Sequence, residues 1–137
     1  MTSVSPRLNQ VSERLAQGQT SAMQLAEQAL DRAAQGEGPR VFTRVLREQA
    51  LAEARASDAL RAAGLARSPL EGLPISVKDL FDIAGHPTLG GSRLLADAAP
   101  ATQTAEVVQR LRRAGAVIVG TTNMTEFAYS GLGLNPH

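Results

Sequence analysis

Lys78 is the residue whose chemistry sets it apart from the rest of the sequence. It is the only lysine among fourteen basic residues, and the others are arginines. Arginine keeps its proton near neutral pH, whereas a lysine in apolar surroundings can release its proton and act as a base. Because Lys78 lies in the mostly apolar run 73–82, the pattern favours a chemical role. The alternative is a structural lysine whose stem is buried and whose ammonium reaches water.

Several polar residues near Lys78 are further candidates. If this run is a strand with strict alternation, Ser76 and Lys78 share one face, and Asp79 begins the other. We expect Asp79 and Asp82 to accept hydrogen bonds from backbone or arginine groups. His86 stands in a turn before a proline and lacks partners at the spacing of metal ligands. These residues therefore predict no metal site.

The pair Gly90–Gly91 lies in a polar, glycine-rich loop. Backbone N–H groups in such a loop can hold an anion when a helix follows directly. No helical pattern follows here, so we interpret the pair as a structural turn.

The first part of the chain predicts amphipathic helices. Apolar residues at helical spacing indicate a short helix that ends near Gly18 and a second one capped by Thr20 or Ser21. A short strand at 41–43 and a long helix at 44–63 follow. We interpret these helices as scaffold.

A strand, a helix and a second strand follow. Pro74 lacks a donor for the sheet ladder, so it must begin the strand that carries Lys78 or lie at an edge. Thr102 or Thr104 can cap the following helix. The predicted buried stripe of this helix consists of Val107, Val108, Leu111 and Ala114.

The pattern at residues 116–119 predicts a short buried strand of a parallel sheet. Residues 120–123 are predicted to form a turn at the carboxyl end of this strand, where ligands of α/β sheets usually bind. The order predicts an α/β fold, with N-terminal helices followed by part of a mixed or parallel sheet flanked by helices. We divide the chain into a helical segment, 1–69, and part of an α/β core, 70–137.

Composition restricts the partners. The chain has 137 residues, 43% of them hydrophobic and 20% charged, with a net charge of +1. This balance gives no electrostatic reason to expect nucleic acid or an anionic membrane surface. The sequence has no cysteine, no apolar signal segment at residues 1–7 and no apolar run as long as a bilayer. We expect a soluble, cytoplasmic protein.

The motifs together resemble the N-terminal part of the amidase signature family. Two specific stretches carry the resemblance, 72–79 (GLPISVKD) and 115–128 (GAVIVGTTNMTEFA). A third stretch, 85–92, matches more loosely. In order and spacing they cover residues 70–137, whereas the preceding helices are compatible with the family without identifying it.

The resemblance implies amide hydrolysis or transfer by a serine–serine–lysine triad in which Lys78 is the general base. In the family a bridging serine, held by a cis peptide, relays the proton from a nucleophilic serine. The glycine- and serine-rich segment that supplies both serines would follow residue 137, and Ser76, Ser92 and Ser130 do not occupy those positions. By its place Ser130 is expected to line the substrate pocket, and the alternative is a simple loop hydroxyl.

We therefore expect an amidase-type enzyme whose 137-residue chain is inactive alone. The expected partners are a small-molecule amide and the missing C-terminal portion of the amidase core, with no cofactor and no metal. An exposed apolar edge would also allow a homo-oligomer. Two alternatives stay open: Lys78 forms a Schiff base with a carbonyl substrate, or the chain is a non-catalytic interaction or assembly domain.

Overall fold

The computed structural model describes residues 7–135. Residues 1–6, where we expected no signal segment, and residues 136–137 lie outside this range. The described helices are α1 (Leu8–Ala16), α2 (Ala22–Ala34), α3 (Gly38–Val41), α4 (Arg47–Ala62) and α5 (Glu106–Arg113). The described strands are β1 (Phe42–Val45), β2 (Pro74–Lys78) and β3 (Val117–Thr122), and short 3-10 turns occupy Arg93–Leu95 and Glu126–Ala128.

The three strands form one mixed sheet in the order β1-β3-β2. Strand β3 lies in the centre, parallel to β2 and antiparallel to β1. Helix α5 connects the two parallel strands, as the strand–helix–strand pattern predicts. The predicted α/β class is confirmed, with helices and a three-stranded mixed sheet.

The sheet has an apolar cluster on each face because side chains alternate along β3. Val117 and Val119 contribute to one cluster, and Ile118 contributes to the other. The first cluster packs mainly against alanines of α2 and α4, whose small side chains let the helices lie close to the sheet. This alternation explains why nearly all of β3 is buried.

Ser21, one of the two residues predicted to cap the second helix, is the N-cap of α2. Its hydroxyl accepts a hydrogen bond from Gln24 N at 3.0 Å, and the Gln24 side chain accepts one from Ser21 N at 3.2 Å. The Asp58 carboxylate of α4 adds two bonds, accepting from Ala22 N at 2.7 Å and Met23 N at 3.1 Å. The start of α2 is therefore fixed to α4 by a charged acceptor.

Two predicted helix starts are wrong. The helix expected at 44–63 begins at Arg47, because Arg44 and Val45 pair with β3 as part of β1. Helix α5 has Ala105 as its N-cap rather than a threonine, since the Thr104 hydroxyl instead accepts a hydrogen bond from Ala84 N at 3.0 Å.

The predicted stripe of α5 is also too wide. Val108 is fully buried, but Val107 is 45% exposed. Val108 packs with Val77 and Ile118 of the sheet, so only part of the apolar surface of α5 is covered.

The predicted segments 1–69 and 70–137 share the sheet. Strand β1 comes from the first segment and pairs with β3 of the second. The division of the chain into these two segments stays a prediction. Within residues 7–135, no helix has the length and apolarity that a membrane crossing requires.

Candidate active site

Lys78 is the last residue of β2, and its side chain is exposed. Ser76 is also exposed, while Val77 between them is buried, so the alternation predicted for this strand is found. Within residues 7–135 the Lys78 side chain is therefore open to solvent, and its role as a base stays a prediction. Strand β2 lies at an edge of the sheet, with β3 as its single neighbour within residues 7–135.

Lys78 stands at the edge of the sheet where both parallel strands end. Its Cα pairs with that of Thr122, the last residue of β3, and Asn123 follows directly. Asp79 N donates a hydrogen bond to Thr122 O at 3.0 Å, which extends the pairing by one residue. The turn predicted at 120–123 is wrong for its first three residues, because pairing with β1 and β2 continues β3 to Thr122. The structure therefore brings Lys78 and the end of β3 together at the edge where α/β sheets bind ligands.

Both aspartates near Lys78 accept hydrogen bonds, although not from arginine. Asp79 is 1% exposed and accepts from the Thr43 hydroxyl at 2.7 Å and from Leu89 N at 3.2 Å. Asp82 accepts from the Thr88 hydroxyl at 2.6 Å. The predicted backbone partner is thus found for Asp79, and threonine hydroxyls take the place of the arginines.

The Gly90–Gly91 pair forms a turn whose backbone carbonyls accept hydrogen bonds from later residues. Gly90 O accepts a hydrogen bond from Phe127 N at 2.8 Å, and Gly91 O accepts from the Asn135 side chain at 2.8 Å. Gly91 has a φ of +69°, and a Cβ at this position would lie 2.5 Å from Met124 O. Only glycine fits there, as expected of a structural turn.

The side chains of Asn123 and Glu126 hold the loop after β3. Asn123 Oδ1 accepts from Met124 N at 2.8 Å, and Glu126 accepts from the Ser92 hydroxyl at 2.6 Å. Phe127 and Ala128 have φ values of 49° and 60° inside a short 3-10 segment. Non-glycine residues rarely adopt this region, so the hydrogen bonds around the segment hold a strained backbone.

Ser130 is exposed, and its hydroxyl accepts hydrogen bonds from Leu132 N and Gly133 N, each at 3.1 Å. This is the geometry of a loop hydroxyl that orders its own turn. A substrate contact for Ser130 therefore stays a prediction.

A cleft of about 580 Å³ opens beside the same edge of the sheet. Its lining includes Phe42 and Thr43 from β1, Gly91, Asn123 and Asn135. Its volume is within the range of small-molecule sites. Neither Lys78 nor Ser130 belongs to the lining.

His86 is half-buried. Burial, and after it the charge of Arg44, lower the pKa of His86. No cluster of three or more histidine, aspartate or glutamate side chains suited to a metal occurs within residues 7–135.

Sequence reasoning missed Thr43 and Thr121, whose hydroxyls lie 2.8 Å apart beside Asp79. It also missed Glu71, which is fully buried and bonded to Arg67 and Ser57. The signal for Glu71 was its position as a lone acid between Leu70 and Gly72 at the start of the specific 72–79 motif.

The amidase family model matches residues 24–137. The chain therefore belongs to the amidase family, as its motifs and partial fold indicate.

Two curated proteins illustrate the relationship. The chain is 45% identical over 129 residues to 1-carboxybiuret hydrolase subunit AtzE of Pseudomonas sp. (strain ADP), covering 93% of this chain and 28% of that protein. It is 45% identical over 115 residues to a component of the glutamyl-tRNA(Gln) amidotransferase of Salinispora arenicola (strain CNS-205), covering 83% and 23%. The chain thus spans about a quarter of the length of these relatives.

Solved structures give the same result. One structure is described as an unexpected vestigial protein complex that reveals the evolutionary origins of an s-triazine catabolic enzyme. It superposes with a TM-score of 0.85 at 45% identity, covering 90% of this chain and 27% of that one. Native peptide amidase from Stenotrophomonas maltophilia superposes with a TM-score of 0.80 at 32% identity, covering 90% and 26%.

Proposed function

We propose that this chain supplies the general base and part of the pocket wall of an amidase that hydrolyses or transfers a carboxamide C–N bond. The observation that carries the proposal is the position of Lys78, in the family's motif, at the carboxyl end of a strand parallel to β3. An amine at this edge can reach a substrate held above the sheet.

In this mechanism the Lys78 amine accepts a proton from a bridging serine, which in turn accepts one from the nucleophilic serine. The exposure of Lys78 fits this role, because an amine on an uncovered strand can be approached by groups from elsewhere. When the rest of the core covers β2, water is excluded, and the neutral amine is favoured in such surroundings.

The proposed partner is the C-terminal portion of an amidase core, which would provide both serines. Large apolar side chains are exposed in the segments that follow β2 and β3 along the chain, and such a portion could pack against them. They are Leu80, Phe81, Leu94, Phe127, Tyr129, Leu132 and Leu134. We propose that this surface is covered in the active enzyme and that, without its partner, the chain associates with a second copy.

Ser130 is proposed to contact the substrate once the pocket is complete. Its exposed hydroxyl lies between the strained 127–128 segment and Asn135, which is tied back to the glycine turn. Cytoplasmic localisation is part of the same proposal.

A chimaera tests the proposal. The chimaeric amidase begins with residues 1–137 of this chain. The rest comes from the Pseudomonas 1-carboxybiuret hydrolase subunit, from the part that does not align with this chain. We expect the chimaera to consume 1-carboxybiuret and the 137-residue chain alone to be inactive. The intact Pseudomonas protein is the positive control. Turnover by the chain alone would contradict the proposal, as would an inactive but folded chimaera.

The Schiff-base alternative is separated by borohydride trapping. A general base leaves no covalent adduct, so borohydride added during turnover should leave the mass of the Lys78 peptide unchanged. A reduced substrate adduct on Lys78 would replace the base mechanism with an imine.

A further inference from the structure

Asp79 is buried at a point where both neighbouring residues are exposed. Its exposure is 1%, whereas Lys78 and Leu80 are open to solvent. A buried carboxylate costs free energy unless charges or hydrogen bonds compensate it. Asp79 belongs to none of the ion pairs found among residues 7–135, so hydrogen bonds must compensate it.

These hydrogen bonds connect Asp79 to each element at this edge of the sheet. Its carboxylate accepts from Thr43 of β1 at 2.7 Å and from Leu89 N at 3.2 Å. Its backbone N donates to Thr122 O of β3 at 3.0 Å, and its backbone O accepts from Gly90 N at 2.9 Å. One residue therefore joins β1, β2, β3 and the glycine turn.

The direction of the hydroxyl bonds follows from their chemistry. A carboxylate only accepts, and a threonine hydroxyl has one proton to donate. Thr43 therefore gives its proton to Asp79 across 2.7 Å, and the Thr121 hydroxyl, 2.8 Å away, donates to the Thr43 oxygen. The resulting chain runs from β3 through β1 to Asp79, and charge-assisted bonds of this kind are the stronger ones.

The position of Lys78 depends on this network. The Lys78 carbonyl accepts from Leu80 N at 2.7 Å, so the chain turns at Asp79, just after its last hydrogen bond to β3. The next residue is held at four points, and the backbone from which the amine extends has little freedom. A base must lie within hydrogen-bond reach of its proton donor, so displacement of this backbone would slow proton transfer.

We infer that Asp79, through the hydroxyls of Thr43 and Thr121, is a positioning residue for Lys78. This inference rests on the proposed function, because it concerns the same proton transfer. The carboxylate acts from the buried side of the strand end and does not touch the substrate.

The test compares threonine variants of the chimaeric amidase. Thr43→Val removes the hydroxyl that donates to Asp79 and keeps the side-chain shape, whereas Thr43→Ser retains the hydroxyl. Thr88→Val is the matched control, since its hydroxyl also donates to an aspartate, Asp82, but at an exposed site. The kcat and KM for 1-carboxybiuret are measured below the unfolding temperature of every variant.

We expect Thr43→Val to lower kcat roughly tenfold or more with little change in KM, because a misplaced base slows only the chemical step. Thr43→Ser should restore most of kcat, and Thr88→Val should resemble the wild type. If Thr43→Val lowers the unfolding temperature but leaves kcat unchanged, Asp79 is only structural and the inference is wrong. If Lys78→Ala leaves the activity unchanged, the proposed function itself fails, and the inference fails with it.

Discussion

The Arg67 guanidinium and the Glu71 carboxylate form an ion pair of 2.6 Å in which the glutamate is completely buried. Arg67 N and the Ser57 hydroxyl donate to the same carboxylate, at 3.0 Å and 2.5 Å. Glu71 thereby joins α4 to the loop that leads into β2. Because that strand carries Lys78, we expect this buried carboxylate to stabilise the scaffold of the candidate site.

The stability of the chain should fall in acid because of Glu71. Burial alone raises the pKa of Glu71, but the hydrogen bonds from Arg67 and Ser57 and the charge of Arg67 outweigh burial and lower it from 4.5 to about 2. A carboxylate with a lowered pKa stabilises the folded state above its unfolded pKa and loses this contribution as the pH falls through its folded pKa.

We expect this contribution, on the order of 3 kcal/mol, to be lost between about pH 4.5 and pH 2. Denaturant unfolding over this pH range measures it. Glu71→Gln lacks the titrating group and should be less stable than the wild type at pH 7, with a shallower decline in acid. Parallel pH curves for the two proteins would contradict the assignment.

Gly115→Ala should destabilise the chain strongly. Gly115 has a φ of +100°, and a Cβ there would lie 2.6 Å from the Glu71 carboxylate and 2.8 Å from its Cα. Backbone strain and steric overlap together should cost about 2–4 kcal/mol of unfolding free energy. Gly131→Ala is the control, because a Cβ at Gly131 meets no atom within 4 Å, and its effect should be within about 0.5 kcal/mol. Equal effects of the two substitutions would argue against this packing.

The two adjacent valines of α5 should differ in their contribution to stability. Val108 is fully buried against the sheet and Val107 is 45% exposed. Val108→Ala should cost about 2 kcal/mol, because it removes two methyl groups from the core. Val107→Ala should change the stability by less than about 0.5 kcal/mol. Thermal unfolding distinguishes them, and the reverse order would mean that α5 is rotated about its axis.

Asp58 should stabilise the start of α2. It accepts hydrogen bonds from Ala22 N and Met23 N, both free of helical partners. Asp58→Ala should therefore lower the unfolding free energy by about 1–2 kcal/mol. Asp31→Ala removes only an exposed pair with Arg47 and should cost less than about 1 kcal/mol in the same denaturant titration. An Asp58→Ala loss as small as that of Asp31→Ala would count against the cap.

The sequence predicts the elements that depend on local pattern. Each strand and helix of the strand–helix–strand order is indicated by its own residues, and so is the Ser21 cap. The structure has both features. The alternation of Ser76, Val77 and Lys78 is likewise local.

The sequence does not predict features that depend on distant residues. The hydroxyls of Thr43 and Thr121 meet across 78 positions, which no periodicity reveals. The exposure of Lys78 was missed for the same reason, because burial of an edge strand depends on what covers it. The helix expected from residue 44 lost its first turn to pairing with β3, a tertiary contact that outweighs local propensity.

The most direct test of the central claim is amine rescue of Lys78→Ala in the chimaeric amidase. Because Lys78 is exposed in the described chain, this substitution should leave folding intact. Loss of a general base should lower kcat by about 10²- to 10⁴-fold, and added methylamine should restore part of the rate by entering the vacated space. A Lys78→Ala chimaera that retains wild-type kcat without added amine would contradict the account.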